Sequence, residues 1–270
     1  MNPADVELFR RVLKDRSGLV LTDDKSYLLE SRLAPVARRR GLASVGVLAR
    51  ELRGKPDGGL VRDIVEAMTT NESLFFRDVK PFEQFRTIVL PYILKTRAAS
   101  RTIRLWSAAC AAGQEPYSLA MILHEERASL GGWQVGLVAS DLSSEMVERA
   151  KAGVYTQFEV QRGLALKHLV NYFEPEADRW HLKPLIRDMV HFRVANLLDD
   201  LSSFGRMDAI FCRNVLIYFD QATKEQILDR LARLLPRDGF LFLGGAETTL
   251  GISTRFEPVP DQRGLYRLAA

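Results

Sequence analysis

At four places in this 270-residue chain, polar side chains follow directly on an apolar run. Glu115 closes a stretch of small residues, Ser107 to Gly113, that comes after the apolar Thr102-Ile-Arg-Leu-Trp106. Asp141 follows Trp133 to Ser140, and Asn196-Leu197 follow Val190 to Val194. Arg213-Asn214, with Tyr218 soon after, follow Met207 to Cys212. In an open α/β sheet, ligands bind beyond the carboxyl ends of the strands. One polar strand end says little; four in succession describe a cleft.

The residue types narrow the chemistry. A strand, a tight small-residue turn and a helix start at Glu115-Pro116 make a nucleotide cradle. The loop is not G-x-G-x-x-G, since Gly113 is its only glycine, and a carboxylate at Glu115 repels a pyrophosphate. By itself the stretch fits an ordinary strand-to-helix turn equally well. Asp141 stands where an acid grips ribose hydroxyls, and where a residue can also cap the next helix; the two roles are compatible. No P-loop lysine and no G-x-S-x-G elbow occur. A small-residue loop, an acid for a ribose and no phosphate clamp suit a nucleoside ligand without phosphates, such as S-adenosylmethionine. Thr70, Asn71, Ser73 and Arg77 surround Leu74-Phe75-Phe76, which reads as a helix cap or as a ligand lid.

The elements needed to position these groups are legible. Up to about residue 75 the pattern is helical. Val6, Phe9, Val12 and Leu13 mark one helix face, and Tyr27, Leu28, Leu33, Val36 and Ala37 mark that of a second helix, from about Asp23 to Arg40, closed by Gly41. Two shorter helices, 44–53 and 60–68, flank a loop at 54–59. Pro81 to Thr96 reads as a connecting helix burying Phe82, Phe85, Ile88 and Val89. From residue 102 strands and helices alternate, with an interruption from Gly153 to Met189 that includes a hairpin at 172–182. The alternation ends in the closing strands at 256–259 and 265–268. The domains expected are a helical one at 1–76, a connecting helix and linker at 77–101, and an α/β domain at 102–270 with an insertion near 155–189.

Composition excludes several classes. Hydrophobic residues make 47% and charged ones 27%, the balance of a folded globular chain. No apolar run approaches the roughly 20 residues of a membrane helix, and the start, Met1-Asn-Pro-Ala-Asp-Val-Glu, reads as neither signal nor transit peptide. Two separated cysteines, Cys110 and Cys212, read as buried thiols of a reducing cytoplasm, and the four histidines show no ligand spacing, so no metal is expected. A net charge of +4 permits an acidic partner without demanding one. Arg38-Arg39-Arg40, with Arg32, form either a solvated basic helix end or a docking surface for an acidic partner. No aromatic residues interleave with them, which disfavours nucleic acid.

Thr69-Thr-Asn-Glu-Ser-Leu-Phe-Phe-Arg77, Trp106-Ser-Ala-Ala-Cys-Ala-Ala-Gly-Gln-Glu-Pro-Tyr-Ser118, Ala139-Ser-Asp-Leu142 and Phe211-Cys-Arg-Asn-Val-Leu-Ile-Tyr-Phe-Asp220 together closely resemble the CheR family of chemotaxis-receptor glutamate O-methyltransferases. The resemblance covers nearly the whole chain. It implies a Rossmann-like class I methyltransferase domain with a final antiparallel strand and a small inserted antiparallel β-subdomain, preceded by an all-helical domain. The implied cofactor is S-adenosylmethionine, leaving S-adenosylhomocysteine. By match of motif, Asn71, Ser73 and Arg77 would contact it from the helical side, Glu115 near its methionyl or ribose part, and Asp141 at the ribose. Asn196-Leu197 would flank the adenine and Arg213-Asn214 would line the cleft. Arg77 and Tyr218 would border the transferred methyl and are the catalytic candidates. Ser73 and Gln114 stand where threonine and glutamate are expected. Arg32, Arg38, Arg39 and Arg40 match the family's receptor-facing helix, so the implied partner is the cytoplasmic helical region of chemoreceptors. Some relatives hold a receptor's C-terminal peptide on the β-subdomain through a glycine-containing loop. Phe173 to Leu182 has none, so no such tether is expected, and the working unit is expected to be a monomer. Two other functions fit the cofactor residues. One is methyl transfer to RNA or a small molecule, against which stand the lack of an aromatic-basic face and of a catalytic base. The other is a non-catalytic S-adenosylmethionine-binding signalling module, against which stand the intact Arg77, Asp141, Asn214 and Tyr218.

Overall fold

A computed structural model of the protein describes residues 1–54 and 57–269. Lys55 and Pro56, in the loop expected at 54–59, lie outside the described residues. The chain forms two compact units. One comprises Met1–Thr70 with Tyr218–Lys224, the other Asn71–Ile217 with Glu225–Ala270.

The first unit holds α1 (Pro3–Ser17), α2 (Tyr27–Arg39), α3 (Val45–Arg53) and α4 (Gly58–Met68). Asn2 caps α1 by accepting from the Asp5 N–H, and Gly18 ends it in the left-handed conformation. Phe9 and Leu13 are buried along α1, whereas Val6 and Val12 are only half-buried. The face expected for α2 needs correction. Leu29, Leu33, Val36 and Ala37 are buried, Leu28 is half-buried and Tyr27 is 70% exposed. A short turn at Asp23–Lys25 delays the start of α2 to Tyr27. The buried set runs i, i+4, i+7, i+8 from Leu29, the spacing of one helix face. The returning segment is tied in by Leu19 pairing with Phe219 and by a Lys14–Asp220 ion pair at 2.7 Å.

The second unit opens with α5 (Lys80–Gln84), a π turn (Phe85–Val89) and α6 (Leu90–Thr96). Pro91 has no N–H to continue an α ladder, and the Leu90 N–H reaches back five residues to Phe85 O. This segment buries Phe82, Phe85, Val89, Leu90 and Ile93 in the same core as the sheet; Ile88 is half-buried. Next come β1 (Thr102–Ala108), α7 (Gln114–Glu125), β2 (Gln134–Asp141) and α8 (Ser144–Ala152). The insertion follows: β3 (Val154–Thr156), α9 (Gln157–Gln161), α10 (Leu166–Tyr172), β4 (Phe173–Glu176), β5 (Arg179–Leu182) and α11 (Pro184–Arg187). The chain then completes the main sheet with β6 (Val190–Val194), β7 (Ala209–Cys212), β8 (Phe240–Leu243), β9 (Phe256–Pro258) and β10 (Leu265–Leu268); α12 (Gln221–Leu234), whose first residues count with the helical unit, falls between β7 and β8 in the sequence.

The main sheet has seven strands in the order β6-β2-β1-β7-β8-β10-β9. Its first five are parallel, and β10 runs antiparallel to both β8 and β9. The chain builds outward from β1 in one direction and resumes at β7 in the other. The crevice of such a sheet opens where that reversal occurs, at the carboxyl ends of β1 and β7. β7 and β8 are buried along their whole length, as a central parallel strand with covered faces must be. The insertion is a separate antiparallel sheet, β3-β5-β4.

Candidate functional site

The loop from β1 to α7 is built from small residues because its backbone takes unusual turns. Ala109, Ala111 and Gly113 all have positive φ. At Gly113 (φ +92°) an added Cβ would sit 3.0 Å from both the Ala150 Cβ and the Tyr117 ring. The loop is anchored from three sides. Asp141 Oδ2 accepts from the Ala111 N–H at 2.8 Å, Tyr155 of the insertion donates to Ala112 O at 2.8 Å, and the Cys110 N–H donates to Ser140 O. The second Asp141 oxygen accepts from the Ser143 N–H at 2.9 Å, while Ser143 itself caps α8. Asp141 therefore joins the β1 loop to the end of β2, and Ser143 caps α8.

Glu115 and Arg213 meet across the reversal point. Glu115 is 8% exposed; one oxygen accepts from Ser107 Oγ at 2.8 Å and the other from Arg213 Nη1 at 2.7 Å. Through Nη2, Arg213 also donates to Arg77 O at 2.9 Å and to Asp78 at 2.7 Å, and its guanidinium lies 5.6 Å from the Phe82 ring centre. One buried guanidinium thus gathers the strand end of β7, the start of α7 and the Arg77 turn. Arg77 itself is half-buried and donates to Glu72 O at 3.1 Å. Asn71 and Ser73 flank Glu72 in the irregular stretch before that turn, and Glu72 pairs with Arg162. The turn is also held by the Phe76 N–H on Ser118 Oγ at 2.9 Å, and by Phe75 packed edge-on against Tyr155.

Asn196 Oδ1 accepts from the Leu198 N–H at 3.0 Å, turning the chain after β6, and Leu197 is buried. Asn214 has φ +59°. Tyr218 belongs by its contacts to the helical unit, where its carbonyl accepts from the Val20 N–H. The four arginines expected as a docking set divide. Arg32 donates to the Met68 and Thr69 carbonyls at 2.8 and 2.9 Å, closing the end of α4, and Arg40 pairs with Asp63 at 2.8 Å. Arg38 and Arg39 are exposed.

Three functional neighbours escape a reading of the sequence. Ser107 and Asp78 are known only through their partners Glu115 and Arg213. Glu247 follows β8 and accepts four backbone N–H groups, from Asn214, Val215, Leu216 and Gly244. Extending the strand-end rule one strand further, past Leu243, would have found it.

Carboxylates dominate this rim. The Cys110 thiol is held well above its usual range, first by burial and then by the negative charges of Asp141 and Glu115. Cys212 is raised by burial, with Glu247 and Glu115 adding to it. Such a rim favours a ligand with cationic and hydroxyl groups over a polyphosphate. No helix among the described residues is long and apolar enough to cross a membrane, and no cluster of metal-ligating side chains occurs among them.

Comparison with known proteins agrees with this geometry. Residues 4–69 match the family model for the CheR methyltransferase all-alpha domain, and residues 71–265 the CheR methyltransferase SAM binding domain. The chain is 44% identical to "Chemotaxis protein methyltransferase 1" of Pseudomonas aeruginosa, over 98% of this chain and 97% of that one. It is 42% identical to "Chemotaxis protein methyltransferase Cher2" of Pseudomonas putida, over 97% and 96% of the two chains. With the Escherichia coli chemotaxis protein methyltransferase it shares 35% identity over 92% and 86%. A helical unit followed by a seven-stranded sheet with an acidic rim at its reversal point, matched along nearly its whole length by these models and relatives, places the chain in the CheR family of S-adenosylmethionine-dependent methyltransferases.

Proposed function

We propose that the chain esterifies glutamate side chains of chemoreceptors in the cytoplasm, using S-adenosylmethionine and leaving S-adenosylhomocysteine. The observation that carries this reading is the near full-length match, through both units, to relatives named chemotaxis protein methyltransferase. The residues fit the cofactor. Asp141 and the small-residue loop suit an adenosine without phosphates, and Glu115, paired with Arg213, balances the guanidinium charge that would otherwise repel a ligand cationic at sulfur and amine. Asn71, Ser73, Arg77, Asn196, Leu197, Arg213 and Asn214 complete the proposed binding set. When bound, the cofactor supplies an electrophilic methyl on a sulfonium.

The chain's own residues have a light task. A glutamate acceptor, with an ordinary pKa of about 4.3, is already ionised at neutral pH and needs no base. Arg77 orients the incoming carboxylate, and Tyr218 fixes the angle of approach. Catalysis then rests on positioning and on stripping water from the carboxylate. Arg77 must hold loosely, because a tight ion pair makes the carboxylate a poorer nucleophile. Exposed Arg38 and Arg39 provide the receptor-facing charge, and the compact, glycine-free β4–β5 hairpin carries no receptor-tail tether. The protein acts as a monomer.

Incubation with methyl-labelled cofactor and cytoplasmic receptor fragments tests the reaction. Alkali-labile label on the receptor is expected. Alkali-stable label on RNA, or no transfer with cofactor bound, would replace this reading with one of its rivals. Titration with a receptor tail peptide is expected to show no micromolar binding.

A further inference from the structure

Glu247 sits in the turn Gly244–Glu247 after β8, its own N–H donating to Gly244 O. Its Oε1 accepts from Val215 N at 2.9 Å and Leu216 N at 2.7 Å. Its Oε2 accepts from Asn214 N at 2.8 Å and Gly244 N at 2.6 Å. A carboxylate offers about four lone-pair sites, and here four backbone donors take them. The side chain is buried, at 9% exposure. Three of the donors are consecutive, and successive N–H groups around a left-handed residue form a concavity that selects an anion. The left-handed residue is Asn214. In this protein the anion is internal and comes from the neighbouring strand's loop. The fit is tight: a Cβ on Gly244 would lie 2.7 Å from Glu247 Oε2 and 2.8 Å from Asn214 Nδ2.

We infer that Glu247 is a positioning residue for cofactor binding: its carboxylate holds the Arg213–Leu216 turn in the conformation that presents Arg213 and Asn214 to the cleft before any ligand arrives. This rests on the reading that Arg213 and Asn214 line the cofactor site. Without Glu247, three consecutive N–H groups and a left-handed asparagine would have no common acceptor, and the turn would sample other conformations. Cofactor binding would then bear the cost of ordering it.

Glu247→Gln isolates the effect, because it keeps shape and volume while turning an NH2 toward two N–H donors. Two readouts are needed. Amide exchange in the ligand-free wild type should show Asn214, Val215 and Leu216 slowed by about a hundredfold or more relative to an open loop. In Glu247→Gln these three should speed up while β1 and β7 amides do not. By calorimetry, the S-adenosylhomocysteine Kd of the variant should rise about tenfold at unchanged stoichiometry, the size expected for losing one or two such bonds. An unchanged Kd, with either full or reduced stoichiometry, would make Glu247 merely structural and overturn the proposal. So would open-loop exchange of the three amides in the wild type, a measurement that stands even if the variant does not fold. Gly244→Ala, which crowds the carboxylate without removing it, should raise the Kd in the same direction; an unchanged value again counts against the clamp. Asn214→Ala tests the underlying reading separately: if it leaves the Kd unaltered, the turn does not serve the cofactor and the proposal falls with that reading.

Discussion

Arg213 ties the candidate site together from within. Its side chain is 1% exposed, and it is the partner of both Glu115 and Asp78. Removing one member of a buried pair leaves an uncompensated charge, which costs about 3–5 kcal/mol. Arg213→Met should therefore lower the melting temperature by roughly 6–20 °C, at about 2–4 °C per kcal/mol for a domain of this size. Intrinsic fluorescence is the measurement, since Trp106, Trp133 and Trp180 all lie in the second unit. A melting point within 2 °C of wild type would mean the pair contributes no net stability. Arg77 is different: half-buried, with its guanidinium on a backbone carbonyl, it can be lost cheaply. Arg77→Ala should fold normally yet lose at least about tenfold in kcat at saturating cofactor, the scale of one lost orienting contact. Retained activity with normal cofactor affinity would remove Arg77 from the catalytic set.

At the scale of elements, the insertion is tied to the β1–α7 loop. Tyr155 of the insertion reaches Ala112 in the loop, and behind the loop Tyr117 of α7 donates to Ala150 O of α8 at 2.6 Å. The small residues of the loop serve backbone geometry as much as ligand approach. Gly113→Ala should cost about 2–3 kcal/mol, from the left-handed φ together with the contacts on Ala150 and Tyr117. A urea midpoint equal to wild type would show that the loop relaxes freely. On α10, His168 stacks on Phe76 with ring centres 4.8 Å apart and lies 3.0 Å from Glu125. Burial lowers its pKa, against the pull of Glu125; His124 is lowered too, by burial and then by Arg127. A histidine with a depressed folded pKa stabilises the fold above its unfolded pKa, and that stability is lost as pH falls below about 6.5. The urea midpoint of the second unit should fall between pH 7.5 and pH 5.5, and His168→Phe, which keeps the stack, should flatten that slope. An identical slope in the variant would assign the pH dependence elsewhere.

At the scale of the whole molecule, the chain leaves the helical unit at Thr70, returns to it for Tyr218–Lys224, and leaves again. Arg32 and Arg40 are used inside the helical unit, which leaves Arg38 and Arg39 as exposed basic charge on α2. Reversing both, with Arg38→Glu and Arg39→Glu, should raise KM for receptor about fivefold at low salt. The effect should shrink as salt screens it, and S-adenosylhomocysteine affinity should not change. Receptor kinetics identical to wild type would move docking to another surface.

Much of this was legible before folding. Apolar runs of strand length, each ending in a polar residue, marked the parallel strands and the rim, because a buried strand must be apolar and a ligand site must be polar. The hairpin at 172–182 was legible from its turn residues. The buried face of α2 was not. Its apolar residues extend one turn too far at the start, and packing against α3 and α4 chose Leu29 over Tyr27 and Leu28. Hydrophobic patterning and motif spacing are local properties, so the sequence alone determined the class of fold, the candidate rim and its cofactor chemistry. Which groups meet across that rim is set by strand order. Only the tertiary structure brought β7 beside β1, so that Arg213 reached Glu115, and β8 beside β7, so that Glu247 could close on the Asn214 turn. Those pairs are far apart in the chain, and no local pattern encodes a contact whose partner is chosen by sheet topology.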